Sequence, residues 1–169
     1  MTTNMNRYTN KAQEAVLQAQ ALAEELNHSQ VEPEHLALAL LEQRDGVVPQ
    51  ILLKLNVQPA QVIAELRTTL AARSKAFGAV QRYLSAELGQ ALGIAEAKAR
   101  QMHDEYISTE HLLMALIETK SKASQILTAS GIKEERILQA LSGIRGSQRV
   151  MDQDPEGTYQ ALEKYARDV

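Results

Sequence analysis

The sequence predicts an all-α domain of eight helices, built as two pseudo-symmetric four-helix repeats packed into one body. Three observations carry that expectation. Apolar residues recur at helical spacing through most of the chain, strand signals are absent, and the second half repeats the pattern of the first at a nearly constant offset.

The first helix is expected over residues 9–26, TNKAQEAVLQAQALAEEL, a stretch dense in Ala, Leu, Gln and Glu, which lose little side-chain entropy on forming a helix. Either Thr9 or Asn10 can cap it. Ala12, Ala15, Val16, Ala19, Leu22, Ala23 and Leu26 follow the i, i+3, i+4, i+7 pattern, giving a buried stripe whose alanines permit close helix approach. A second helix begins near Pro33, whose missing N–H suits a first helical turn. Asp45-Gly46 breaks it, a short third helix covers residues 48–55, and Pro59 opens a fourth that includes VIAELRTTLAAR.

After a connector around SKAFGAVQR the pattern starts again. At an offset of 76, Ala15, Ala19, Ala21 and Ala23 fall on Ala91, Ala95, Ala97 and Ala99, and VEPEHL at 31–36 falls on ISTEHL at 107–112. The match continues through Ala39/Ala115, Leu40/Leu116 and Glu42/Glu118. One residue is then lost in a loop, and at an offset of 75 Ile51, Leu52, Val57, Val62 and Leu66 align with Ile126, Leu127, Ile132, Ile137 and Leu141. Two such units bury most by packing side by side, and their seam is a natural place for a shared groove.

Composition narrows the function classes. A net charge of -3 and a pI near 5.8, with basic residues scattered among acidic ones, offer no general attraction to nucleic acid or anionic lipid. No apolar run approaches the length of a membrane span, and residues 1–7 carry no secretory apolar core. The absence of cysteine excludes disulfides and thiolate metal sites and suits a reducing, cytoplasmic setting. From Gly143 the residues GIRGSQRVMDQDPEG lose the apolar period, so 143–158 reads as a linker, and TYQALEKYARDV at 159–169 as the start of a helix leading into a further domain.

Two copies of [VI]-x-x-E-H-L, each behind an Ala-rich helix, together with RYTNKAQEAV at the start and ALEKYARDV at the end, resemble the duplicated N domain of the Clp family of protein-remodelling ATPases, and within it the ClpB-type disaggregases. The resemblance covers residues 6–142. It implies a Clp N domain over 1–142, with repeat one at about 8–73 and repeat two at about 83–142. It further implies a mobile substrate-recognition module that meets unfolded or aggregated polypeptide, and adaptor or co-chaperone proteins, ahead of a homohexameric ATPase ring. The isolated domain is expected to be a monomer. No GxxxxGK[ST] phosphate loop occurs, so ATP hydrolysis is expected outside these residues, with no enzyme activity and no cofactor here.

By the same resemblance, Thr9, Asp104 and Glu110 form a polar cluster associated with substrate handling. Their residue types have plainer readings too: Thr9 a helix cap, Glu110 a first-turn acid, Asp104 a loop residue. Glu34 is equivalent to Glu110, and the pair could hold a cation such as phosphorylated arginine, as in ClpC-type N domains, although EPEH in the first copy departs from that pattern. Leu92 and Ile94 are candidates for an apolar groove or for core, and Lys98 and His111 make a purely apolar groove unlike this chain. The four histidines are spaced seven and eight residues apart within each repeat, which suits packing or hydrogen bonding better than metal binding.

Overall fold

A computed structural model describes residues 5–78, 81–146, 149–151 and 153–155. Helix α1 (Asn10–Glu25) begins where the Thr9 hydroxyl accepts the Ala12 N–H at 3.1 Å, which settles the cap on Thr9. Its repeat equivalent α5 (Ala86–Gln101) opens in the same way, with the Ser85 hydroxyl accepting the Leu88 N–H at 3.1 Å. Both helices bury an alanine stripe, Ala12, Ala15, Ala19 and Ala23 on one and Ala91, Ala95 and Ala99 on the other.

That small-residue stripe lets α1 pack closely on α2 (Pro33–Glu42), as α5 packs on α6 (Thr109–Glu118). The sequences PEHLALALL and TEHLLMAL are apolar around most of the helix rather than along one stripe, and the structure buries every one of those residues. Helices α2 and α6 are therefore the centre of the domain. Around them lie α3 (Val47–Lys54) and α4 (Pro59–Ala71) in repeat one, and α7 (Lys122–Ala129) and α8 (Glu134–Arg145) in repeat two. The packing obeys the duplication: α2 meets α7 as α3 meets α6, α3 meets α8 as α4 meets α7, and α1 meets α6 as α2 meets α5.

Helix ends follow the repeat as well. Asn27, His103 and Asn56 have φ near +60°, and Gly131, the counterpart of Asn56, has φ +90°. Each follows a helix C-cap. The next N–H then reaches back to close a Schellman turn: His28 to Ala23, Asp104 to Ala99, Val57 to Leu52 and Ile132 to Leu127, at 2.8 to 3.1 Å.

The all-α expectation holds, with one small addition. Among the described residues there are strands, though tiny: β1 (Gln30–Val31) pairs in parallel with β2 (Tyr83–Leu84), and Tyr8 bridges Ile107 in parallel. Two-residue strands carry too little alternation to be read from sequence. Under the offset of 76, Tyr8 corresponds to Leu84 and Val31 to Ile107, so the two pairings are one contact made twice. The lead-in to α1 or α5 of each repeat pairs with the lead-in to α6 or α2 of the other. Thr9 N–H donates to the Ile107 carbonyl and Ser85 N–H to the Val31 carbonyl, each at 2.9 Å. The repeats are cross-laced rather than merely apposed.

Within the stretch read as a linker, α8 continues to Arg145 and Val150 is buried, because the chain returns across the α5–α6 corner. The helix expected at 159–169 lies outside the described residues. No helix among the described residues is long and apolar enough to cross a membrane.

Because the two caps are equivalent, Thr9→Ala and Ser85→Ala should each lower the unfolding free energy by about 1 kcal/mol in urea titrations. A Ser85 variant with unchanged stability would contradict the second cap.

Candidate functional site

The buried starts of α2 and α6 bring the charged residues together. Neither helix can leave its first N–H groups to water. The Glu32 N–H donates to His35 Nδ1 and the Ser108 N–H donates to His111 Nδ1, both at 2.8 Å. A ring that accepts through Nδ1 carries its proton on Nε2 while neutral. His35 Nε2 accordingly donates to His28 Nδ1 at 2.8 Å, and His111 Nε2 to Asp104 Oδ2 at 2.7 Å. His28 and Asp104 are repeat equivalents, delivered to the same place by the left-handed residues before them.

The two corners then differ in charge. In repeat two, Arg145 from α8 donates from Nη2 to Asp104 Oδ2 at 2.9 Å and places Nε 3.1 Å from Glu110 Oε2. In repeat one, Arg73 past the end of α4 pairs with Glu32 at 2.9 Å and lies 3.5 Å from Glu34. Glu34 also crosses the seam, accepting the Ala123 N–H at the start of α7 at 3.1 Å, where the helix dipole favours a carboxylate. A polar cavity of about 360 Å³ lies beside His28, lined by Ser29, Gln30, Glu32, Arg73 and Ser74.

Burial drives His35 down to about 3, with His28 and Arg73 adding to the effect. Burial likewise lowers His28, reinforced by the Arg73 charge. Burial raises Glu34 above the usual carboxyl range, against the opposing pull of the Ala123 N–H and Arg73. Burial alone would raise Asp104, but the hydrogen bonds from His111, the Val150 N–H and Arg145 outweigh it and hold the carboxyl below its ordinary value.

Of the residues singled out from sequence, Asp104 and Glu110 are joined through Arg145, and Thr9 adjoins them through its bond to Ile107. All three are buried, at 0% exposure for Thr9 and Glu110 and 6% for Asp104. Glu34 occupies the equivalent corner of repeat one. Leu92 and Ile94 are half-buried against the core, and Lys98 on the same helix is tied to Glu134 at 2.6 Å and Glu118 at 3.5 Å.

Sequence reasoning missed Arg73 and Arg145, which lie in or just beyond the last helix of their repeats and have no spacing signal of their own. It also missed Phe77 and Tyr83, exposed at 73% and 50% on and beside the connector. A phenylalanine in a segment with no apolar period is the signal that could have marked the first. The corners hold imidazoles that accept a cap N–H through Nδ1 and carboxylates paired with arginines, an arrangement that fixes geometry. Among the described residues no group of three or more His, Asp or Glu could hold a metal ion.

Two outcomes follow for this network. His35 and His28 take up protons more readily unfolded than folded, so their contribution to stability is complete above about pH 6.5 and is lost as pH falls below it, for His35 toward about 3. His28→Asp, which copies the Asp–His pair of repeat two, should lose less stability between pH 7 and 5 than the parent in chemical denaturation. Arg145→Met leaves two buried carboxylates uncompensated and should cost about 3–5 kcal/mol. Asp104→Asn and Glu110→Gln added to it should recover part of that loss; no recovery would put the arginine's role in its packing.

The chain matches the family described as the Clp repeat (R) N-terminal domain over residues 7–153. Chaperone protein ClpB of Bacillus cereus is 39% identical to it over 172 residues, a span covering 98% of this chain and 20% of that protein. The chain thus spans about a fifth of the length of the curated relatives it matches. Among solved structures, the Hsp104 N-terminal domain from Candida albicans superposes with a TM-score of 0.78 at 21% identity, covering 89% of this chain and 99% of that one. A complex of the ClpV N-domain with a VipB peptide superposes at 0.65 and 17% identity, covering 82% and 86%. These likenesses carry the same all-helical fold, and the match over residues 7–153 means that this chain belongs to the Clp repeat N-terminal domain family.

Proposed function

We propose that this domain captures unfolded or aggregated polypeptide for a Clp-type ATPase ring and passes it on. The observation that supports the reading is convergence. Thr9, Asp104 and Glu110 come from the start of α1, the α5–α6 corner and the start of α6, yet one network of hydrogen bonds and ion pairs adjoins all three. Residues 1–142 would form the recognition unit, 143–158 the tether and 159–169 the helix leading to the ATPase part, with the longer protein a homohexamer in the cytoplasm and the isolated domain a monomer. The domain itself would be neither an enzyme nor a cofactor carrier.

A second reading, docking of an adaptor, draws support from the ClpV N-domain described with a bound VipB peptide. Phosphoarginine binding at Glu34 and Glu110 is less well supported, because both carboxylates are buried and already face arginines of their own chain.

Titration of the isotopically labelled domain with a permanently unfolded polypeptide, followed by amide shifts, distinguishes these. Capture predicts shifts clustered at Thr9, Asp104 and Glu110, extending along α5 to Leu92 and Ile94. An unresponsive spectrum at saturating polypeptide, or saturation only by a folded partner at fixed stoichiometry, would replace capture with adaptor docking.

A further inference from the structure

After α8 the chain turns back over the corner that holds Asp104. The Val150 N–H donates to Asp104 Oδ1 and the Glu105 N–H donates to the Val150 carbonyl, both at 2.8 Å. The Val150 side chain is fully buried. Three residues on, the Gln153 carbonyl accepts the Asn10 N–H at 2.7 Å, and its side-chain amide reaches the Asn6 and Tyr8 carbonyls at 3.3 and 3.4 Å. Arg149 adds a bond to the Met102 carbonyl at 3.1 Å.

What the receiving surface reads is mostly main chain. At one residue it takes an N–H, a carbonyl and an aliphatic side chain, and three residues later a second carbonyl. The donors it offers are Glu105 N–H and the otherwise unpaired first-turn N–H of α1 at Asn10, and the acceptor is a carboxylate oxygen. Any extended polypeptide with an aliphatic residue at the right position presents the same groups, because they are backbone groups. A folded partner has already spent them.

We infer that Val150 and Gln153 are an internal occupant of a peptide-binding edge formed by Asp104, Glu105 and Asn10, and that extended, unfolded polypeptide competes with them for it. The inference rests on the capture reading and adds where the polypeptide lies and what it displaces. Since a bound polypeptide and the docked tether exclude each other, capture frees the tether, and a docked tether weakens capture by the fraction of time it is on.

The chain has no cysteine, so an Asn10→Cys/Gln153→Cys pair, joined across a direct backbone hydrogen bond, can be closed by oxidation and opened by reductant. Val150→Asp provides the opposite state, placing a carboxylate against Asp104. Binding of fluorescently labelled, reduced and alkylated α-lactalbumin is followed by anisotropy, with circular dichroism confirming that both variants keep their helices. The inference expects the oxidised pair to bind about tenfold more weakly than the reduced pair, and Val150→Asp to bind more tightly than the parent. Equal binding by oxidised and reduced protein, with Val150→Asp unchanged, overturns the tether's role and leaves capture standing. Absence of binding by every form overturns capture and the tether's role with it.

Discussion

The domain depends on how two helices with buried starts begin. Helices α2 and α6 are apolar around most of their circumference, so the fold gains by burying them from the first turn onward, and their first N–H groups then lose water as a partner. An unmet buried donor costs about 1–3 kcal/mol. His35 and His111 remove that cost by accepting the cap N–H through Nδ1. The solution sets a second requirement: each ring must find an acceptor for its Nε2 proton. That acceptor is supplied by the residue after a left-handed turn, which explains why Asn27 and His103 hold φ near +60° although neither is glycine. The helix stop before each corner and the helix start after it are thus a single device.

The same constraint orders the rest of the polar interior. A carboxylate beside each cap is carried inward with its helix, and each repeat sends an arginine from the end of its last helix to meet it. Such pairs add little net stability over apolar packing, since desolvation offsets most of the attraction, but an arginine that misses its carboxylate is expensive. The expense falls on wrong registers of α4 or α8. Glu34 extends the logic across the seam by holding the first turn of α7, and the cross-laced pairings Val31–Leu84 and Tyr8–Ile107 fix the repeats against each other where side-chain packing alone would permit sliding.

The helices were legible because they rest on local signals. Thr9 and Pro33 open helices by their own chemistry, and the alanine stripes at 12, 15, 19 and 23 return at 91, 95 and 99. The repeat was legible because duplication keeps residue types at fixed offsets. The network was not, since its partners are set by tertiary approach: Arg145 finds Asp104 from 41 residues away, and Arg73 reaches Glu34 from beyond the helix that precedes it. His28 and Asp104 illustrate the limit well. Sequence equivalence puts them in one place, but only the structure reveals that both receive the same imidazole proton. The repeat equivalence of His35 and His111 did point toward hydrogen bonds within each repeat.

The difference between those two residues has a consequence for the chain that leaves each repeat. Under the offset of 75, Lys75 and Ala76 of the connector correspond to Val150 and Met151, and the connector also returns to its corner: the Ala76 N–H donates to the Asn27 carbonyl at 2.7 Å and Arg82 to the His28 carbonyl at 2.8 Å. There the corner offers backbone carbonyls, because the only acceptor nitrogen of a neutral His28 is spent on His35. Asp104 has two oxygens. Oδ2 serves His111 and Arg145, and Oδ1 remains for the Val150 N–H. Repeat one therefore fastens a connector whose far end is anchored again in the cross-laced strand at Tyr83 and Leu84, whereas repeat two presents a carboxylate oxygen that holds an N–H without regard to the side chain it belongs to. Of two corners built alike, the one with the spare acceptor is the one suited to exchanging its own chain for another.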